Sequence, residues 1–201
     1  EDGTENNFPA TFRTKETADL FLTLIVHLLR DGGRGAIVLP DGTLFGEGIK
    51  TRIKQELLEK CNLHTIVRLP NGVFAPYTSI PTNLLFFDRT GPTKEVWYYE
   101  HPLPEGRKNY TKTAPIQFEE FADCIKWWGR AGRANERKEN DQAWKVPAAD
   151  LLAAGCNLDR KNPSAKEDIT HLPPEQLAAD ILKKEQRIVE IIGRIREQFA
   201  K

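Results

Sequence analysis

Asp41 follows the apolar run Ala36-Ile-Val-Leu39 and Pro40, and Phe74 and Tyr77 sit in a proline-rich stretch between two further apolar runs. In an open α/β sheet, ligands bind beyond the carboxyl ends of the strands. Pro40-Asp41 and Pro70-Asn71 fall at such ends, so Pro40 and Asp41 are assigned to an active-site rim. A carboxylate there can orient a substrate or close its own turn. An aromatic there can stack on a planar ligand such as an unpaired base, or it can plug the end of the sheet. Residue type leaves both alternatives open. Gly46-Glu-Gly48 lacks the third glycine of a dinucleotide fingerprint, and a helix-start turn is the better reading. Three cysteines (Cys61, Cys124, Cys156) and four histidines (His27, His64, His101, His171) show neither disulfide nor metal-ligand spacing, so no metal site is expected.

The elements that must position these residues follow from periodicity. Ala18, Phe21, Leu22, Ile25, Leu28 and Leu29 recur at three-and-four spacing and predict a helix over 17–30, closed by Asp31-Gly-Gly. A second helix is expected over 47–60. Strands are expected over 36–39, 65–69, 83–87 and 95–100, the third buried on both faces and the last edge-like. The first two runs are joined by a helix, which predicts a mostly parallel sheet, the second half of a nucleotide-type α/β fold. The first domain is therefore placed at 1–101.

Beyond that, residues 102–173 are polar and proline-rich, with one helix expected from Ile116 or Phe118 to Trp128. The stretch 126–145 holds six basic and three acidic residues around Trp127, Trp128 and Trp144. Trp127 and Trp128 could touch nucleic acid, but core packing is the favoured role. Residues 174–201 form a third region, a long helix over 174–200. Its stripe of Leu177, Ile181, Ile188, Ile192, Ile195 and Phe199 needs a partner surface, either its own domain or another chain.

Composition excludes several classes. Lys+Arg and Asp+Glu are equal at 29 each, so the whole chain has no basic bias toward nucleic acid. No apolar run reaches the roughly 18 residues of a membrane span. The polar start is unlike a signal peptide, and the cysteine usage suits the cytoplasm. The chain has no methionine and begins with Glu1, which suggests a piece of a longer protein.

Several blocks together carry a resemblance: Ala18-Asp-Leu-Phe-Leu, Gly33-Arg-Gly-Ala-Ile-Val-Leu-Pro-Asp-Gly, Val67-Arg-Leu-Pro-Asn-Gly-Val-Phe-Ala-Pro-Tyr-Thr, Pro81-Thr-Asn-Leu-Leu-Phe-Phe and Cys156-Asn-Leu-Asp-Arg-Lys-Asn-Pro. In this order they resemble the modification subunit of type I restriction-modification systems, S-adenosylmethionine-dependent N6-adenine DNA methyltransferases. The resemblance implies the C-terminal half of a Rossmann-like methyltransferase sheet with a helical extension. The family's glycine-rich donor loop and its Asn-Pro-Pro-Phe tetrapeptide are absent, so no catalytic or cofactor-binding residue is assigned here. The isolated chain is expected neither to bind S-adenosylmethionine nor to methylate DNA. The resemblance implies that Phe74, with Tyr77 beside it, stacks on a flipped adenine. It also implies that the last helix docks the specificity subunit, with the restriction subunit and DNA as further partners. Two alternatives stand beside it, a non-catalytic assembly module and an unrelated metabolic α/β fragment.

Overall fold

The computed structural model describes residues 3–129, 136–165 and 174–199. The chain divides into two compact units, Glu1–Ala165 and Lys166–Lys201. The first holds a five-stranded sheet: β1 (Arg34–Pro40), β2 (Asn62–Arg68), β3 (Thr82–Asp88), β4 (Glu95–Glu100) and β5 (Ala143–Pro147), in the order β1-β3-β2-β4-β5.

The α/β class is as expected, but the parallel character is partial. β3 runs antiparallel to both β1 and β2, β4 is parallel to β2, and β5 is antiparallel to β4. The link from β2 to β3 contains no helix to carry the chain back across the sheet, so β3 must return antiparallel. It inserts between β1 and β2, which still point the same way because two helices lie between them. The carboxyl ends of β1, β2 and β4 therefore share one edge.

β4 corrects the edge-strand expectation. Val96, Trp97, Tyr98 and Tyr99 are all buried, because β5 covers the outer side of β4. β5 went unpredicted, since it is five residues long and lies inside a polar segment.

Helices α1 (Thr17–Leu28), α2 (Asp41–Phe45), α3 (Ile49–Lys60), α4 (Ala122–Trp128) and α5 (Ala148–Ala153) complete the unit. Leu22 and Val26 of α1 and Ile53 and Leu57 of α3 pack with Leu85 and Phe87 on one face of the sheet. Leu84 and Phe86, alternating with these along β3, pack on the other face with Val67, Tyr99 and Cys124. That second face explains the paired tryptophans. The Trp128 ring lies 4.8 Å from Phe86, and Trp127 lies 5.1 Å from Tyr99. The Arg137 guanidinium sits 4.5 Å from Trp128 and 5.1 Å from Trp127, and donates to Thr65 Oγ1 at 2.7 Å. Trp144 stacks on Tyr98 in the opposite core. Trp127 and Trp128 thus pack against the core, and residues 130–135 of that basic stretch lie outside the described residues.

A buried polar knot joins α1, α2 and α3. Asp19 is fully buried, accepts from Thr43 Oγ1 at 2.9 Å, and pairs with Lys50 Nζ at 2.6 Å. Lys54 is equally buried and donates to the carbonyls of Leu44 and Gly46 at 2.6 and 2.8 Å. Burial lowers its pKa to about 8. The knot fixes the segment directly after β1.

The second unit contains α6 (Pro174–Phe199). At 1.5 Å per residue its 26 residues span about 39 Å. Leu177, Ile181, Ile188, Ile192 and Ile195 are each about half exposed, and Leu182, Val189 and Ile191 widen the apolar stripe. The Phe199 side chain and Ala200 lie outside the described residues. No described helix is long and apolar enough to cross a membrane.

Candidate functional site

The shared carboxyl edge of β1, β2 and β4 carries two loops, residues 69–81 and 101–117, and a strap, residues 156–163. Asp41 opens α2 directly after β1, with its backbone N–H donating to Pro81 O at 3.1 Å. Its carboxylate accepts from Asn83 Nδ2 at 2.6 Å, while the Arg68 guanidinium lies 3.9 Å from the other oxygen. Asp41 therefore ties together the ends of β1, β2 and β3, whereas the sequence offered a choice between substrate contact and turn closure. Asn83 is fully buried, and its Oδ1 and Thr82 Oγ1 have no hydrogen-bond partner among the described residues.

The strap is the part of the site that sequence reasoning missed. Arg68 Nη1 pairs with Asp159 at 2.7 Å and donates to Arg160 O at 2.8 Å. Leu158 N donates to Leu44 O, Tyr98 OH donates to Leu158 O, and Asn162 Nδ2 donates to Glu100 Oε2, each at 3.0 Å. The Asn-Leu-Asp-Arg-Lys-Asn block thus lies across the last residues of β2 and β4. These partners are at least 60 positions away in sequence, so nothing local announced the contact. The Arg68 guanidinium thus lies between two carboxylates, 2.7 Å from Asp159 and 3.9 Å from Asp41.

The 69–81 loop rises from this braced base. Leu69 N donates to Thr82 O at 2.9 Å and closes the loop at its root. Val73, not Phe74, packs into the sheet end beside Leu69 and Val67. Phe74 is 41% exposed and Tyr77 is 93% exposed. Backbone bonds from Tyr77 N and Thr78 N to Phe74 O fold the loop tip into a tight turn. The edge thus presents two aromatic rings and Ile80 to solvent above a rigid polar scaffold. Pro40, Asp41, Phe74 and Tyr77 are carried by the same edge, whereas the predicted partner-binding residues lie on α6 in the second unit.

The turn after β1 carries Asp41 in a cross-strand knot, and a Cβ on the glycine that follows, Gly42, would meet nothing within 4 Å. Gly46 packs against Lys50, as a helix-start turn does. Among the described residues no group of three or more His, Cys, Asp or Glu side chains could hold a metal ion.

The N-6 DNA Methylase family matches residues 2–171. The methylase subunit of the type I restriction enzyme EcoEI of Escherichia coli is 58% identical over 198 residues, which are 98% of this chain and 40% of that protein. The EcoKI methylase subunit of E. coli K12 is 42% identical over 118 residues, covering 54% of this chain and 22% of its own. Among solved structures, a modification subunit assigned to a type I restriction enzyme from Vibrio vulnificus YJ016 superposes with a TM-score of 0.75 and 51% identity, over 85% of this chain and 37% of that one. A chain from a study of complex assembly and conformational transition in the type I R-M system gives a TM-score of 0.74 at 38% identity, over 99% of this chain and 42% of that one. The chain spans well under half the length of these relatives. The match nonetheless covers the sheet, its braced edge and the strap, and on that ground the chain belongs to the N-6 DNA methylase family.

Proposed function

We propose that this chain forms part of a type I restriction-modification methyltransferase subunit that transfers a methyl group to N6 of adenine in DNA. The observation that carries the reading is the exposed pair Phe74 and Tyr77, on a loop whose root is pinned by Asp41, Asn83 and Arg68. The N6 atom of adenine cannot be reached inside the stacked duplex, so the base must be turned out. A half-exposed ring on a fixed loop suits stacking against such a base, because little ordering remains to be done on binding. S-adenosylmethionine supplies the methyl group, held by parts of the subunit other than these residues. The outer edge of β1 bears no strand among the described residues, and Val38 there is 46% exposed. Phe21 and Leu28 of α1 are 60% and 72% exposed. We assign this apolar margin to contact with the rest of the methyltransferase sheet in the complete, cytoplasmic subunit.

The test is the product. The complete subunit, assembled with its partner subunits, is incubated with S-adenosylmethionine and unmethylated DNA, and the DNA is digested to nucleosides. N6-methyladenosine in its deoxy form is expected; methyl groups found on cytosine, or none at all, would overturn the reading.

α6 favours a second role for the same chain, assembly with the specificity subunit. Each large aliphatic side chain covered there contributes about 1.5–3 kcal/mol before association costs. The interruption at Lys184 and Glu185 disfavours pairing with a copy of itself. Ile188→Glu combined with Ile192→Glu is expected to abolish co-purification with the specificity subunit while the far-ultraviolet spectrum is kept. Unchanged assembly removes the docking role.

A further inference from the structure

The 101–117 loop leaves β4 beside the 69–81 loop, which leaves its parallel neighbour β2. The two are locked together. His101 N donates to Arg68 O at 2.9 Å, and Tyr110 N donates to Asn71 O at 3.1 Å. Gly72 adopts a φ of +80°, and a Cβ there would meet Tyr110 O at 2.2 Å, so the backbones touch at a place no side chain can enter. Tyr110 is completely buried and its hydroxyl donates to the Glu120 carboxylate. The loop is therefore a fixed platform, although its composition is that of a mobile connection.

Its exposed charges are mostly basic. Arg107, Lys108 and Lys112 are all exposed, against the single acid Glu105 within 102–114. The whole chain is neutral, so this excess is local. Phe74 is two residues from Gly72, and Lys108 and Lys112 are each two residues from Tyr110. Two residues of extended chain reach about 7 Å, so the two legs and the Gly72–Tyr110 contact keep these cations' backbone within about 20 Å of that of the exposed ring, on the same short stretch of a bound strand.

We infer that residues 102–114 grip the phosphate backbone of the DNA strand whose base reaches Phe74. The inference rests on the base-stacking reading of that ring. Phosphate contacts position a protein without reading sequence, and a base turned out of the helix needs its flanking phosphates held while the stack is open. Lys108 and Lys112 supply point charges. Arg107 lies 6.0 Å from the Tyr110 ring and is anchored to the platform itself.

The experiment uses the complete subunit with its partner subunits and a duplex that the assembly methylates, titrated over a series of salt concentrations. Lys108→Gln with Lys112→Gln is expected to lower the magnitude of the slope of log K against log salt by about 1–2, near 0.9 for each phosphate no longer neutralised. Affinity should fall equally for a duplex without the recognition site. Glu105→Gln should strengthen binding to both duplexes. An unchanged slope in an assembly that still methylates adenine overturns the inference, as does a loss confined to the cognate duplex. Failure of the stacking reading is seen separately, as an unaltered methylation rate in Phe74→Ala; a changed salt slope beside that result would retain the phosphate grip and discard only its link to the ring.

Discussion

Phe74→Ala in the complete subunit is expected to slow adenine methylation by roughly 5- to 150-fold, the equivalent of the 1–3 kcal/mol that stacking on one base contributes. Folding should hardly register the change. Phe74 is 41% exposed, and it is Val73 that fills the sheet end beneath it. Substitutions at such positions usually stay within about 0.5 kcal/mol, a shift of no more than about 2 °C in melting temperature for a chain of this size. Single-turnover methylation at saturating DNA, read beside a thermal melt, separates the two effects. Phe74→Tyr keeps the ring and should retain most of the rate. If Phe74→Ala melts many degrees lower, the ring is structural, and if its rate is unchanged, it does not touch the base. Tyr77→Ala, measured in the same way, shows whether the second ring shares the load.

The second large effect lies far from the rim. Asp19→Ala is expected to destabilise the chain by about 3 kcal/mol, the lower end of the range for breaking a buried pair from one side. The lower end applies because Lys50 keeps 24% of its side chain exposed and can regain some water. Thr43 would lose its acceptor inside the core at the same time. Such a loss corresponds to roughly 6–12 °C in melting temperature. Asp19→Asn retains an oxygen for Thr43 and should cost less. An Asp19→Ala melt within about 2 °C of the parent would show that the knot contributes nothing. Thr43 and the Leu44 and Gly46 carbonyls belong to the segment that starts at Asp41. Loosening the knot should therefore also unsettle the Asn83–Asp41 bond at the rim.

Local pattern determined a good deal. The three-and-four spacing of Ala18, Phe21, Leu22 and Ile25 announced α1, and the structure shortens that helix only at its end, to Leu28. The unbroken apolar run at β3 announced a strand covered on both faces, and Leu85 and Phe87 on one side with Leu84 and Phe86 on the other fulfil it. The order of short blocks was enough to place the chain in the N-6 DNA methylase family. Turn chemistry at Pro40-Asp41 put a carboxylate at a strand end, which is where it lies.

What the sequence could not decide was pairing. Strand direction depends on which neighbour a strand meets, and β3 meets β1 and β2 in antiparallel register because its link contains no crossover helix. β5 exists because β4 offers an unpaired edge to five residues of weak pattern, a contact formed about fifty positions apart. Core packing was the favoured reading of Trp127 and Trp128, but their partner, Arg137 against both rings, was not legible in the sequence. The strap at 156–163 had the same character, polar and unperiodic in sequence, yet bonded to Arg68, Tyr98 and Glu100 in space. Hydrophobic periodicity is written along the chain because each residue's burial depends on the face of its own helix or strand. Hydrogen-bond and ion-pair partners are chosen only when distant segments arrive together, so the braced rim beneath Phe74 belongs to the tertiary structure alone.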